Sequence, residues 1–166
     1  VDAVVNTGVA GAIHSSLDVN DIVISTEAIQ YDVDATPFGY KKGQIPQMDN
    51  SVFTADEKLI NAAYESSVEQ VKDKGFKIVK GRVATGDIFI SSKELKEELE
   101  NDFKAYCGEM EGGAIAHACY LNNTPFVIIR AMSDKADGSA DVTYDEFVVE
   151  AAENSKDIVL KMLKEL

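Results

Sequence analysis

The run Val127-Ile128-Ile129-Arg130-Ala131-Met132-Ser133-Asp134 constrains the fold most tightly. Apolar side chains on consecutive residues read as a short strand covered on both faces, the habit of a buried parallel strand in an α/β protein. The apolar character ends at Ser133 and Asp134. In an α/β sheet the carboxyl end of such a strand is where ligands bind, so a carboxylate placed there is poised to transfer protons. Upstream lies a second acidic cluster, Gly108-Glu109-Met110-Glu111-Gly112-Gly113, at the head of a small, apolar helix over 111–121.

Strands and helices alternate along the rest of the chain. Residues 1–6 read as a core strand already under way, ending in Thr7-Gly8-Val9-Ala10-Gly11-Ala12, a small-residue turn that lets backbone approach a ligand closely. A second strand spans 21–26. The loop over 31–51, holding Pro37, Gly39, Gly43 and Pro46, is too long for a plain connector and is either functional or an oligomer contact. Helix 56–72 places Leu59, Ile60, Ala63, Val68 and Val71 on one face, strand 76–84 follows, and a charged, solvated helix runs over 92–100. The terminal helix, 143–166, carries a stripe of Phe147, Val148, Ala151, Ala152, Ile158, Val159, Met162 and Leu163. The order predicts a three-layer α/β/α fold with a mixed central sheet and one α/β domain over 1–166. Because the first strand starts without a Met ahead of it, we expect N-terminal strands and a helix to be missing from this chain.

Composition excludes several classes of partner. A net charge of −13 with no local Lys/Arg cluster disfavours nucleic acid and anionic membrane, and no apolar run approaches the ~20 residues of a membrane span. Cys107 and Cys119 show neither metal-ligand spacing nor a disulfide framework, which points to a reducing, cytoplasmic compartment. His14 and His117 lack a second ligand at helical spacing, so no metal is expected. Thr7-Gly8-Val9-Ala10-Gly11 lacks the Lys and Ser/Thr of a nucleotide-triphosphate loop.

Taken singly, Asp134 fits a helix cap and Glu111 a first-turn Glu favoured by the helix dipole. The two acidic clusters together carry more. With Asn6-Thr7-Gly8-Val9-Ala10-Gly11, Asp21-Ile22-Val23-Ile24-Ser25, Asp32-Val33-Asp34-Ala35-Thr36-Pro37-Phe38-Gly39-Tyr40, Gly43-Gln44-Ile45-Pro46 and Thr85-Gly86-Asp87-Ile88-Phe89-Ile90, the chain resembles the nucleoside phosphorylase and nucleosidase family over nearly its whole length. The likeness is to the branch that cleaves 5′-methylthioadenosine and S-adenosylhomocysteine.

That resemblance implies hydrolysis of an N-glycosidic bond, without a cofactor, releasing adenine. Asp134 would be the general acid toward adenine N7 and Ser133 would orient it. Phe89 would stack on the purine and the backbone of Ile90 would read its edge. Met110 would lie against the ribose, Glu111 would bind its hydroxyls with Arg130 in support, and Tyr144 would cover the site. Ala35, Phe38 and Pro46 would line the 5′-alkylthio pocket of a neighbouring subunit, implying a homodimer. The chemistry suits these residue types, because positive charge builds on the ribose and negative charge on the departing base.

The pattern departs from the family at two places. Val9 stands where many members have a Ser, so one ribose-side hydrogen bond is expected to be absent or supplied elsewhere. The water-activating Glu would lie ahead of Val1, so residues 1–166 alone are expected to be inactive. The rivals are a purine nucleoside phosphorylase, which would place a phosphate-binding Arg about where Asn6 stands, and a non-catalytic nucleoside-binding protein on the same scaffold.

Overall fold

The computed structural model describes residues 1–71, 74–138 and 140–166. Strand β1 covers Val4–Ala12, β2 Ile22–Gln30, β3 Val52–Thr54, β4 Ile78–Thr85, β5 Ala105–Glu109 and β6 Phe126–Asp134. Helices are α1 Glu57–Val71, α2 Lys93–Asn101, α3 Gly112–Leu121 and α4 Ala140–Glu165. The strands form a mixed sheet in the order β3-β2-β4-β5-β1-β6. A further antiparallel pairing of β2 with β6, over Ile22↔Ala131 to Ile24↔Ile129, closes the sheet on itself.

Strand β6 is buried at every position, as its unbroken apolar run requires. It lies parallel to β1 from Val4↔Phe126 to Ala10↔Met132, and the next pair is Gly11↔Asp134. Ser133 is therefore the extra residue of a bulge, a device that bends a strand and re-aims its side chains. Here it delivers both Ser133 and Asp134 to the end of the sheet. The main apolar core gathers Ile22, Val23, Ile24, Phe53, Val127, Ile128 and Ile129 with Ala151, Ile158 and Met162 of α4. A second cluster, Ile13, Ile29, Tyr31, Ala84, Ile90, Leu99 and Phe103, sits beneath the loop that follows β4.

Several expectations need correction. Residues 7–12 are strand, not turn: β1 continues through them, and its glycines serve close approach to neighbouring side chains. Strands β3 and β5 are additional to the predicted elements. On α1, Val68 is exposed and Ser66 and Ser67 face inward, with the Ser67 hydroxyl satisfied by the Ala63 carbonyl at 2.6 Å. The expected end of that helix, Lys72, lies outside the described residues. On α4, Ala152 and Leu163 point outward while Asn154 and Ser155 are buried, and Ser155 hydrogen-bonds Thr7 of β1. Helix α2 is not wholly solvated. Leu99 is buried, and the Lys96 ammonium donates to the Lys135 carbonyl just beyond β6.

Candidate active site

The ends of β1, β5 and β6, the segment after β4 and the start of α4 enclose a cavity of about 320 Å³. Its walls are Val9, Ala10 and Gly11, residues 88–90, residues 108–111, Ser133, Asp134 and Tyr144. Eight of the sequence-nominated residues thus meet around one space: Val9, Phe89, Ile90, Met110, Glu111, Ser133, Asp134 and Tyr144. Arg130 lies beneath it. Ala35, Phe38 and Pro46 are not on the wall; Ala35 is buried in its own loop, and Pro46 and Phe38 are exposed, Phe38 at 84%.

Asp134 is 2% exposed; the Ala136 N–H donates to Oδ1 at 2.8 Å and the Ser133 hydroxyl to Oδ2 at 2.9 Å. Ala136 takes a left-handed backbone, φ 50°, in making that contact. Burial pushes the carboxyl above the usual aspartate range, against the opposing pull of those two hydrogen bonds. A carboxyl that keeps its proton more tightly than a free aspartate is equipped to hand it to a base.

Glu111, the N-cap residue of α3, has a side chain 66% exposed. Glu109, two residues earlier and still on β5, is buried. It pairs with Arg130 and takes the Thr85 hydroxyl and the Gly112 N–H. The sequence motif assigns Glu109 no role, because its inward orientation follows from its place as the last residue of β5, a strand the sequence does not announce, while Glu111 stands at a helix start. Phe89 and Tyr144 meet edge to face, centroids 5.9 Å apart, at the cavity mouth. With Ile88 and Met110 they leave an apolar rim partly exposed, a feature of ligand grooves.

Among the described residues, no Lys or Arg contributes to the cavity wall. Asn6, at the position of interest for phosphate, accepts from Arg130 Nη2 at 2.7 Å. His117 stacks on Phe53 and its Nδ1 lies 3.2 Å from Gln30 Oε1, which occupies it structurally.

Residues 1–164 match the Phosphorylase superfamily, and the chain belongs to it. Among its relatives there are nucleosidases. It is 47% identical over 166 residues to the 5′-methylthioadenosine/S-adenosylhomocysteine nucleosidase of Staphylococcus carnosus, covering 99% of this chain and 71% of that protein. The crystal structure of the Neisseria meningitidis enzyme of the same name, in complex with methylthio-immucillin-A, superposes with TM-score 0.91 at 43% identity, over 99% of this chain and 70% of that one. Futalosine hydrolase of Helicobacter pylori superposes with TM-score 0.91 at 33% identity, over 100% of this chain and 69% of that one.

Proposed function

We propose that the chain hydrolyses the N-glycosidic bond of 5′-methylthioadenosine and S-adenosylhomocysteine, releasing adenine and the thioribose product. The observation that carries this reading is the Asp134 carboxyl, buried in the cavity wall with its proton affinity raised, while the open carboxylate of Glu111 stands on the same wall. Asp134 donates to adenine N7 as the bond breaks, and Ser133 fixes its orientation. Phe89 stacks on the purine, the Ile90 backbone reads its edge and Tyr144 closes over it. Met110 lies against the ribose next to Val9, and Glu111 accepts from the sugar hydroxyls with Arg130 behind it. These environments separate the two carboxyl groups into acid and anion, as cleavage toward an oxocarbenium-like sugar demands.

Phosphorolysis is the weaker reading. A wall that, among the described residues, offers Glu109, Glu111 and Asp134 and no cation would repel inorganic phosphate, which needs charge-assisted donors. We further place the protein in the cytoplasm, on its two unpaired, buried cysteines. We read it as a homodimer in which Phe38 and Pro46, exposed on their own subunit, complete the 5′ end of the partner's site together with Ala35. Among the described residues no helix is long and apolar enough to cross a membrane.

Product analysis tests the reaction. The full-length protein, given 5′-methylthioadenosine, should release adenine and free 5-methylthioribose at a rate independent of added phosphate. Formation of 5-methylthioribose 1-phosphate as the main product would assign a phosphorylase instead, and binding without turnover would assign a nucleoside carrier.

A further inference from the structure

Both glutamates of Glu109-Met110-Glu111 reach the same guanidinium nitrogen. Arg130 Nη2 is ion-paired with Glu109, both side chains almost wholly buried, and stands 3.5 Å from Oε2 of Glu111. The remaining lone pairs of Glu109 are occupied. Its Oε2 accepts from the Gly112 N–H at 2.7 Å and the Glu111 N–H at 3.3 Å, and its Oε1 accepts from the Thr85 hydroxyl. The surrounding backbone is cut to fit this pair. A Cβ on Gly8 would fall 2.2 Å from Arg130 Nη1, and one on Gly112 would fall 2.9 Å from Glu109 Oε2.

A guanidinium buried among strands and left without a counter-charge carries a large desolvation penalty. The other carboxylate within reach of Arg130 among the described residues is Glu111. If Glu109 did not neutralise Arg130, Glu111 would be drawn onto the guanidinium fork, and oxygens committed to that fork no longer face the cavity. We propose that Glu109 is a positioning residue that satisfies Arg130 and so keeps the Glu111 carboxylate available to the 2′- and 3′-hydroxyls of the nucleoside. This rests on the nucleosidase reading above and assigns Glu109 no contact with the sugar; it acts through Arg130.

The test compares 5′-methylthioadenosine with its 2′,3′-dideoxy analogue, binding measured by calorimetry in full-length protein that carries Asp134→Asn to suppress turnover. Glu109→Gln should weaken the hydroxyl-bearing nucleoside about tenfold, the scale of one hydrogen bond to a charged group, and leave the dideoxy analogue within about twofold. Added to Glu111→Gln it should cost almost nothing more, because the two act on one interaction. Equal weakening of both nucleosides, or losses that add, would overturn the proposal in favour of a purely structural Glu109. Should Glu109→Gln not fold, Glu109→Asp keeps the buried charge but shortens its reach to Arg130. It should weaken the hydroxyl-bearing nucleoside more than the dideoxy analogue, and equal weakening of both would overturn the proposal. If the parent protein binds neither nucleoside, the nucleosidase reading itself falls and this inference with it.

Discussion

Gly11 and Asp134 face each other across β1 and β6 so closely that a Cβ on Gly11 would stand 2.8 Å from Oδ1 of the carboxyl and 2.9 Å from the Ala136 Cβ. Neither neighbour is free to retreat, since Oδ1 is held by the Ala136 N–H and Ala136 is already in a left-handed conformation. Gly11→Ala should therefore displace the acid. Overpacking of this kind costs about 1–3 kcal/mol of stability, and a shift of ~1 Å at a reacting group costs about 10²-fold in rate. We expect adenine release to fall on that scale while the protein still melts cooperatively. A Gly11→Ala enzyme with unchanged kcat would show that the carboxyl tolerates the crowding.

Asp134→Asn should lower kcat by about 10²-fold or more, the contribution of a general acid, with a smaller effect on ligand affinity. The same substitution reports on stability. Burial raises the folded-state pKa of Asp134 above 3.8, so the folded state favours its protonated form. That favourable contribution is complete below pH 3.8 and fades as pH rises through the raised value. Asparagine does not titrate, so the Tm of the parent relative to that of Asp134→Asn should be highest near pH 3.8 and fall as pH rises through the raised value. A parent Tm that instead falls relative to the variant on acidification would mean that the carboxylate, not the acid, is the form the fold stabilises.

The parts of this architecture that were legible are those where one physical demand dominates. Strand β6 is apolar because both faces are covered, and its polar end is polar because it opens on the cavity. The first part of β1 reads as a strand, but residues 7–12 read as a turn because Gly8 and Gly11 carry that signature, whereas they are small so that Arg130 and Asp134 can fit against the strand. Strand β5 escaped notice because Ala105 and Gly108 have little strand preference. It forms because β4 and the end of β1 pair with it, and Gly108 is small because a Cβ there would lie 2.2 Å from Ile90 Cδ1. The nominated residues of the cavity share short motifs and so could be read together, but the division of labour between Glu109 and Glu111 depends on which strand end turns inward. Adjacency in sequence does not reveal that.

Phe89 is 42% exposed and meets Tyr144 edge to face, so its removal should disturb the ligand more than the fold. Base stacking on an aromatic side chain is worth about 1–3 kcal/mol. Phe89→Ala should raise KM for 5′-methylthioadenosine by about 5- to 100-fold, with stability changed by no more than ~0.5 kcal/mol. Parallel KM and thermal-melt measurements check both halves. A large fall in Tm with an unchanged KM would make Phe89 a packing residue.

Phe38 stands 84% exposed at the end of a 3₁₀ turn, Thr36–Phe38, followed by Gly39 in a left-handed conformation. The turn holds the ring away from its own chain, so Phe38→Ala should leave the stability of a single subunit nearly untouched. In the proposed homodimer the ring caps the 5′ end of the partner's site, and covering a Phe side chain is worth about 1.5–3 kcal/mol. Mixed dimers separate the two locations. One subunit carries Phe38→Ala together with Asp134→Asn and is catalytically dead; the other is unaltered and supplies all remaining turnover. A 5′-alkylthio inhibitor should then act on the unaltered site at least about tenfold more weakly, because the missing ring belongs to its dead partner. Normal inhibition in the mixed dimer would show that the loop serves its own chain, and the shared site would have to be abandoned.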